Sequence, residues 1–205
     1  MDAIIASDTE RGIRPSLLLH ACCAPCSSYV LEYLASYFDI TLFFYNPNMD
    51  STEEYIHRSK ELQRLVREAN FPADVIICEY DPESFEEVAS GLEDVPEGGA
   101  RCRKCYELRM RKAADYASGH GFEYFTTTLS ISPYKNAGWI NEIGERLAGE
   151  CGLKHLPSDF KKRNGYKRSI ELSREYGLYR QDYCGCRYSR KEAEDKRQKE
   201  ERIQK

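Results

Sequence analysis

Apolar residues in this chain gather in four short runs, and after each run they recur at the spacing of a helix face. The runs are residues 16–19 (SLLL), 39–45 (DITLFFY), 73–80 (ADVIICEY) and 124–129 (YFTTTL). Each is short, bounded by turn residues and apolar enough to be a buried strand. The pattern predicts helices over 27–38, 51–70, 83–91, 106–119 and 136–149. Ser51 followed by Glu53 and Glu54 is a helix start, and Ile56, Leu62, Leu65 and Val66 then fall at helical spacing. In the last helix, Trp139, Ile140, Ile143 and Leu147 form the inner face. Strand and helix alternate four times. That order predicts an α/β fold with a parallel sheet and right-handed crossovers.

Beyond residue 153 the pattern changes. Residues 161–165 (KKRNG) make a basic turn, and 169–176 make a short helix ended by Gly177. Residues 179–186 (YRQDYCGC) lead into a terminal charged helix. We divide the chain into an N-terminal extension (1–14), an α/β domain (15–153) and a basic, mainly helical C-terminal region (154–205) that completes the site. Charge supports the last boundary. The net charge is −4, yet residues 154–205 hold 16 Lys and Arg against 9 Asp and Glu. Residues 1–153 hold 14 against 25. A basic quarter on an acidic body suits a partner that carries phosphates. Residues 190–205 read more plainly as a solvated charged helix. No apolar run approaches the ~18 residues of a membrane span, and residues 1–14 lack the apolar core of a leader. The expectation is a cytoplasmic protein with no membrane partner.

Nine cysteines change the picture. In a cytosolic chain of this length they point to metal or redox chemistry rather than a disulfide framework. Seven fall in three tight groups: Cys22, Cys23 and Cys26; Cys102 and Cys105; Cys184 and Cys186. Cys78, inside VIIC, reads as a small buried hydrophobe, and Cys151 receives no role. The first group ends the run LLLHACCAPCSS, in a strand-to-helix turn, where a doubly wound sheet places its ligand. A helix N-terminus there favours thiolate. Cys102-x-x-Cys105, predicted just before a helix, is flanked by Arg101, Arg103, Lys104 and Arg109. Alone it is half a zinc site or a redox pair. With Cys22 and Cys23 it offers four thiolates, which zinc and a [4Fe–4S] cluster both accept. Neighbouring cysteines fit the cluster better, because they can reach different irons. Cys184-Gly185-Cys186 is either a metal-binding pair or a strained, easily reduced disulfide.

Five motifs carry a resemblance. HACCAPCS (20–27), YNPN (45–48), RCRKCYELR (101–109), TTLSISPYKN (127–136) and YCGCRYS (183–189) together resemble the epoxyqueuosine reductases that work without cobalamin. The resemblance spans about residues 15–190 and implies the rest of this paragraph. The fold is a Rossmann-like sheet similar to that of the adenine-nucleotide alpha hydrolases. The reaction reduces epoxyqueuosine to queuosine at the wobble position of tRNA, removing the epoxide oxygen with two electrons. Cys22, Cys23, Cys102 and Cys105 hold a [4Fe–4S] cluster. A second iron ion lies beside it, with Cys26 as a candidate ligand. Cys184 and Cys186 are the redox-active pair. An external electron donor is required.

Elementary chemistry adds the remaining candidates. Epoxide opening needs an electrophile on oxygen, two electrons and a proton. His20, Asp182, Tyr134 and Tyr183 are candidate proton donors, and His20 reads equally as a hydrogen-bonded scaffold residue. The anticodon stem-loop presents bases that stack on aromatic and guanidinium planes. Tyr134, Lys135, Tyr179, Arg180, Tyr183 and Arg187 mix those characters. Lys161, Lys162, Arg163, Lys167 and Arg168 are candidates for phosphates. Two rivals stand beside this reading. An ATP-dependent enzyme of the same broad fold needs a glycine-rich phosphate turn after the first strand, which residues 21–27 do not supply. A zinc-stabilised RNA-binding module would be colourless, where an iron–sulfur protein is brown.

Overall fold

The first strand is the axis of the molecule. In the computed structural model, which describes residues 1–203, β1 (Ser16–His20) pairs in parallel with β2 (Asp39–Phe44) on one side and β4 (Tyr124–Thr127) on the other. Next to β2 lies β3 (Ala73–Ile77), and next to β4 lies β5 (Lys154–His155), so the five-stranded order is β3-β2-β1-β4-β5. The predicted α/β class and parallel sheet are met. The fifth strand is an addition, because two residues make too short a run to stand out in the sequence.

Among the described residues eight α-helices surround the sheet: α1 (Asp2–Glu10), α2 (Ala24–Leu34), α3 (Thr52–Glu68), α4 (Pro82–Ala89), α5 (Ala100–Gly119), α6 (Ala137–Cys151), α7 (Gly165–Glu175) and α8 (Arg187–Ile203). Strand residues alternate between two apolar layers. Leu17, Leu19, Leu42 and Phe44 pack with Val30, Leu31 and Leu34 of α2 and Leu62 of α3. Leu18, Phe43 and Phe125 pack with Met110, Ala113 and Ala117 of α5 and Ile140, Ile143 and Leu147 of α6. Burial on both faces explains why the strands read as continuous apolar runs. Among the described residues no helix is long and apolar enough to cross a membrane.

Several boundaries differ from the sequence reading, and two of the shifts move cysteines. Helix α2 starts at Ala24, not 27, because Pro25 takes an opening helical position; Cys23 becomes the N-cap residue and Cys26 lies in the first turn. Helix α5 starts at Ala100, with Gly99 as N-cap, so Cys102 and Cys105 lie inside the helix, one turn apart on one face. The first residues are not a bare extension. They form α1, whose Ile5 is buried in the core, while Asp2 meets Tyr33 and Arg163.

The sheet edge carries an unpaired histidine. His155 on β5 is buried, packs on Phe125 (centroids 5.3 Å apart), and neither ring nitrogen has a hydrogen-bond partner. Gly144 of α6 lies directly beneath, where any Cβ would strike the ring. Burial pushes its pKa from 6.5 down to about 4. As pH falls through that window, the unfolded chain takes up the proton before the folded one, so stability is lost. The loss reaches ~2.5 kcal/mol near pH 4.5. Urea unfolding at pH 7 and pH 4.5 should show that much less acid sensitivity in His155→Phe than in the parent protein. Equal sensitivity in the two would assign the acid loss to other groups.

Candidate metal and thiol site

Chain connections run from β1 outward through β2 to β3, and then cross back to β4 on the other side of β1. The carboxyl ends of β1 and β4 therefore flank a topological switch point, where such sheets hold ligands. The first cysteine turn lies there. After β4 the chain makes a 3-10 turn, Thr128–Ile131, and the Thr128 hydroxyl accepts from the Cys22 N–H (3.2 Å) and lies 3.4 Å from Cys22 Sγ.

His20 closes β1 from below. It is fully buried, with Nδ1 2.8 Å from Thr127 Oγ1 and Nε2 3.0 Å from the Tyr45 carbonyl. A carbonyl only accepts, so Nε2 carries the hydrogen and Nδ1 accepts from Thr127. Burial, and then the charge of Arg109, push its pKa down to about 3. Both nitrogens are committed to the scaffold.

The sulfur atoms of Cys22, Cys23 and Cys26 all lie within 4.8 Å of one another, a spacing that could hold a metal ion. Cys22 and Cys23 are 3.8 Å apart. Hydrogen bonds from Cys23 and Cys26 hold the Cys22 thiol well below its ordinary pKa. The same arrangement raises Cys23 to about 11 and pushes Cys26 well above its ordinary range. Cys102 and Cys105 stand outside that trio. Burial pushes Cys102 up to about 11 and Cys105 up to about 12. The flanking cations do not offset this, since Arg101 turns to the carbonyls of Leu92 and Glu93 and Arg103 to Glu142. All nine cysteines are free thiols, Cys184 and Cys186 included.

Two buried arginines join the groups. Arg109, on α5, is 1% exposed; it donates to Asn46 Oδ1 and leaves Nε without a partner. Cys105, Cys22 and Cys184 all bear on its charge. Arg58, on α3, is 2% exposed, donates to Glu54 Oε1 (2.6 Å) and to the Cys184 carbonyl (3.2 Å), and leaves Nη2 unpaired. The sequence reading counts Arg109 only as a charged flank and misses Arg58. A usable signal existed, because Arg58 falls in register with Tyr55, Leu62 and Leu65, which are the buried face of α3.

A cavity of about 340 Å³ opens over the trio. Cys22, Cys26, Cys184, Arg58 and Arg109 line it. Tyr134, Lys135, Arg180, Asp182 and Tyr183 also line it. Tyr134 stands 75% exposed. Asp182 is exposed and paired with Arg197. The Tyr183 ring lies between the guanidiniums of Arg58 (5.2 Å) and Arg190 (5.4 Å). Arg187 is turned away to Glu86 (2.5 Å) on α4. Tyr179 donates to Glu54. Lys161 and Lys162 pair with Asp159 and Arg163 with Asp2, around a different cavity beside Tyr29 and Tyr33, and Arg168 pairs with Glu32. Ser189, Glu192, Ala193 and Lys196 also line the main cavity. The opening turns of α8 thus form one wall of the site, while the helix from Arg190 on is largely exposed to solvent, as the sequence reading expects.

The family model for epoxyqueuosine reductase QueH matches residues 17–192, which takes in all three cysteine groups. The chain belongs to this family. It is 45% identical over 186 residues to the epoxyqueuosine reductase QueH of Streptococcus pyogenes serotype M1, covering 89% of this chain and 73% of that protein. The QueH of Staphylococcus epidermidis is also 45% identical, over 189 residues, with 89% and 79% covered. The QueH of Thermotoga maritima is 34% identical over 187 residues, with 88% and 93% covered. By name these QueH relatives are reductases, and the family resemblance drawn from the five motifs is met.

Proposed function

We propose that this chain reduces epoxyqueuosine to queuosine in tRNA, at the wobble position, by a two-electron removal of the epoxide oxygen. The observation that carries this reading is the meeting of thiols and two buried guanidiniums at the switch point of the sheet. The donor set fits an iron–sulfur cluster. Thiolates are soft ligands suited to iron, and a cluster held by them is anionic. Arg58 and Arg109, each with a buried unpaired nitrogen, would otherwise be costly charges in the core. Cys22, Cys23, Cys102 and Cys105 would hold the cluster, and Cys26 is the remaining donor for a second iron. When bound, these metals supply single electrons and a Lewis acid.

The protein's own groups supply the rest. Oxidation of Cys184 and Cys186 to a disulfide yields two electrons and two protons. Conversion of the epoxide to an alkene and water consumes two electrons and two protons, so the balance closes. A reduced thiol or electron-carrier protein would restore the dithiol. Lys135, with Cys184, Cys22 and Cys26 bearing on its charge, keeps a proton beside the reacting centre. Tyr134 offers an open ring for a base to stack on, and Arg180 offers a planar cation. His20, with both nitrogens engaged, positions the cysteine turn rather than donating a proton.

The test is direct. Anaerobic, reduced protein is incubated with tRNA carrying epoxyqueuosine, and the digested nucleosides are weighed by mass spectrometry. Loss of one oxygen atom from the modified nucleoside is expected. An unchanged nucleoside with a brown, reduced protein would end this reading.

A further inference from the structure

We propose that Arg58 is a positioning residue for the Cys184-Gly185-Cys186 turn, fixing where the two thiols point over the metal site. The inference rests on the reading of that pair as the working dithiol.

The turn is not held by apolar packing alone. A polar stripe along α3 and the loop before it, Asp50, Glu54, Arg58, Glu61 and Arg64, fastens residues 176–190. Arg64 donates to the carbonyls of Tyr176 (3.1 Å) and Gly177 (3.2 Å). Glu61 accepts from the Tyr179 N–H at 2.7 Å. Asp50 donates its N–H to the Gly185 carbonyl (2.9 Å) and accepts from the Tyr183 hydroxyl (3.2 Å) and from Arg190 (2.7 Å).

Arg58 is the member of the stripe whose side chain meets the cysteine turn itself. Three successive residues rest on one guanidinium. Tyr183 stacks on it at 5.2 Å, Cys184 gives it a carbonyl at 3.2 Å, and Gly185 packs against it. A Cβ on Gly185 would come 3.2 Å from Nη1 and 2.8 Å from Met49 Sδ, and the residue sits at φ +126°. Glycine is therefore what allows the turn to lie this close. Glu54 fixes the other side of the guanidinium at 2.6 Å. The side chain is buried and braced from both ends, so the turn inherits its rigidity. Lysine cannot take the place of this group, because a point charge offers neither a plane for Tyr183 nor a fork for two acceptors.

The test reads thiol exposure rather than turnover. Iron-loaded protein is treated briefly with limiting iodoacetamide, and each cysteine is quantified by peptide mass spectrometry. Arg58→Lys should raise alkylation of Cys184 by at least about tenfold, the scale on which small misplacements of reacting groups are felt. Alkylation of Cys78 and Cys151, and the iron content, should be unchanged. Tyr183→Leu removes the stacking partner while leaving the Glu54–Arg58 pair, and should loosen the same thiol by a smaller factor. It is the measurement to use if Arg58→Lys fails to fold. Unchanged Cys184 alkylation in a folded variant would overturn the proposal. So would an even rise at every cysteine, which marks a general loss of structure. A loosened turn with unchanged tRNA reduction would leave the positioning role standing and overturn the dithiol reading instead.

Discussion

Cys22→Ser and Cys23→Ser are each expected to abolish iron binding, visible absorption and epoxide reduction together. The two sulfurs lie 3.8 Å apart at the switch point, in a turn fixed by Thr128 below and by the start of α2 above. Serine nearly matches cysteine in size and keeps the turn. What it changes is the donor: a hard hydroxyl that stays protonated replaces a soft thiolate. Altering groups that merely brace metal ligands costs about 10–100-fold, so losing a ligand should cut turnover by more than ~100-fold. Cys102→Ser and Cys105→Ser should behave alike if their sulfurs complete the same cluster. The structure gathers Cys26 with Cys22 and Cys23 but leaves Cys102 and Cys105 outside the trio, which makes those two variants the sharper test of the assignment. Iron and sulfide analysis beside the absorption spectrum reads all four. A variant that keeps a full cluster removes its residue from the ligand set.

Much of this site was legible because it is local. An apolar strand that stops at His20 and is followed at once by three cysteines leaves little doubt about a strand-to-helix turn. The same run also caused an error, since CCAPCSS reads as a loop by composition. Pro25 was the available signal for an earlier helix start, and missing it put Cys26 in the turn instead of the helix. The CxxC shifts for a related reason: Gly98 and Gly99 read as loop by composition, whereas Gly99 is the cap of α5.

What was not legible is long-range. Charged residues on helices are read as solvated, and most are. Arg58 and Arg109 are exceptions because the core they face contains thiols rather than hydrocarbon alone. The pairing of Asp50 with Tyr183 and Arg190 crosses more than a hundred residues of sequence, so nothing local reports it. The same distance hid the role of α8. Its mean composition is polar, yet Arg101 and the Glu97 N–H both reach Glu192, which holds its first turns against α5 and the cavity. The ion pairs of the basic residues 161–168 are hidden from the sequence in the same way. Arg163 and Arg168 meet carboxylates that the sequence separates widely, Asp2 and Glu32, and Lys161 and Lys162 pair with Asp159 close by.

Cys184→Ala and Cys186→Ala should separate the two thiol functions. Each variant is expected to keep its iron and its colour while epoxide reduction falls to background. Four thiolates from the first two groups already satisfy a cluster with four corners, so a fifth and sixth have no place to bind. Cys184 lines the same cavity as Cys22 and Cys26, and its carbonyl accepts from Arg58 of α3. Cys186 is buried against Ser189, whose N–H approaches its sulfur at 3.4 Å, so it is braced rather than free. Removing either sulfur leaves the partner unable to close a disulfide, and the second electron of the pair is lost. Thiol titration of the parent protein, oxidised and then reduced, should therefore show two thiols appearing together that neither variant shows. Iron and sulfide content measured beside turnover decides the matter. Loss of the cluster in either variant would make that cysteine a ligand. Normal turnover in both would mean that electrons reach the substrate without the pair, and that the turn is a structural element of the cavity wall.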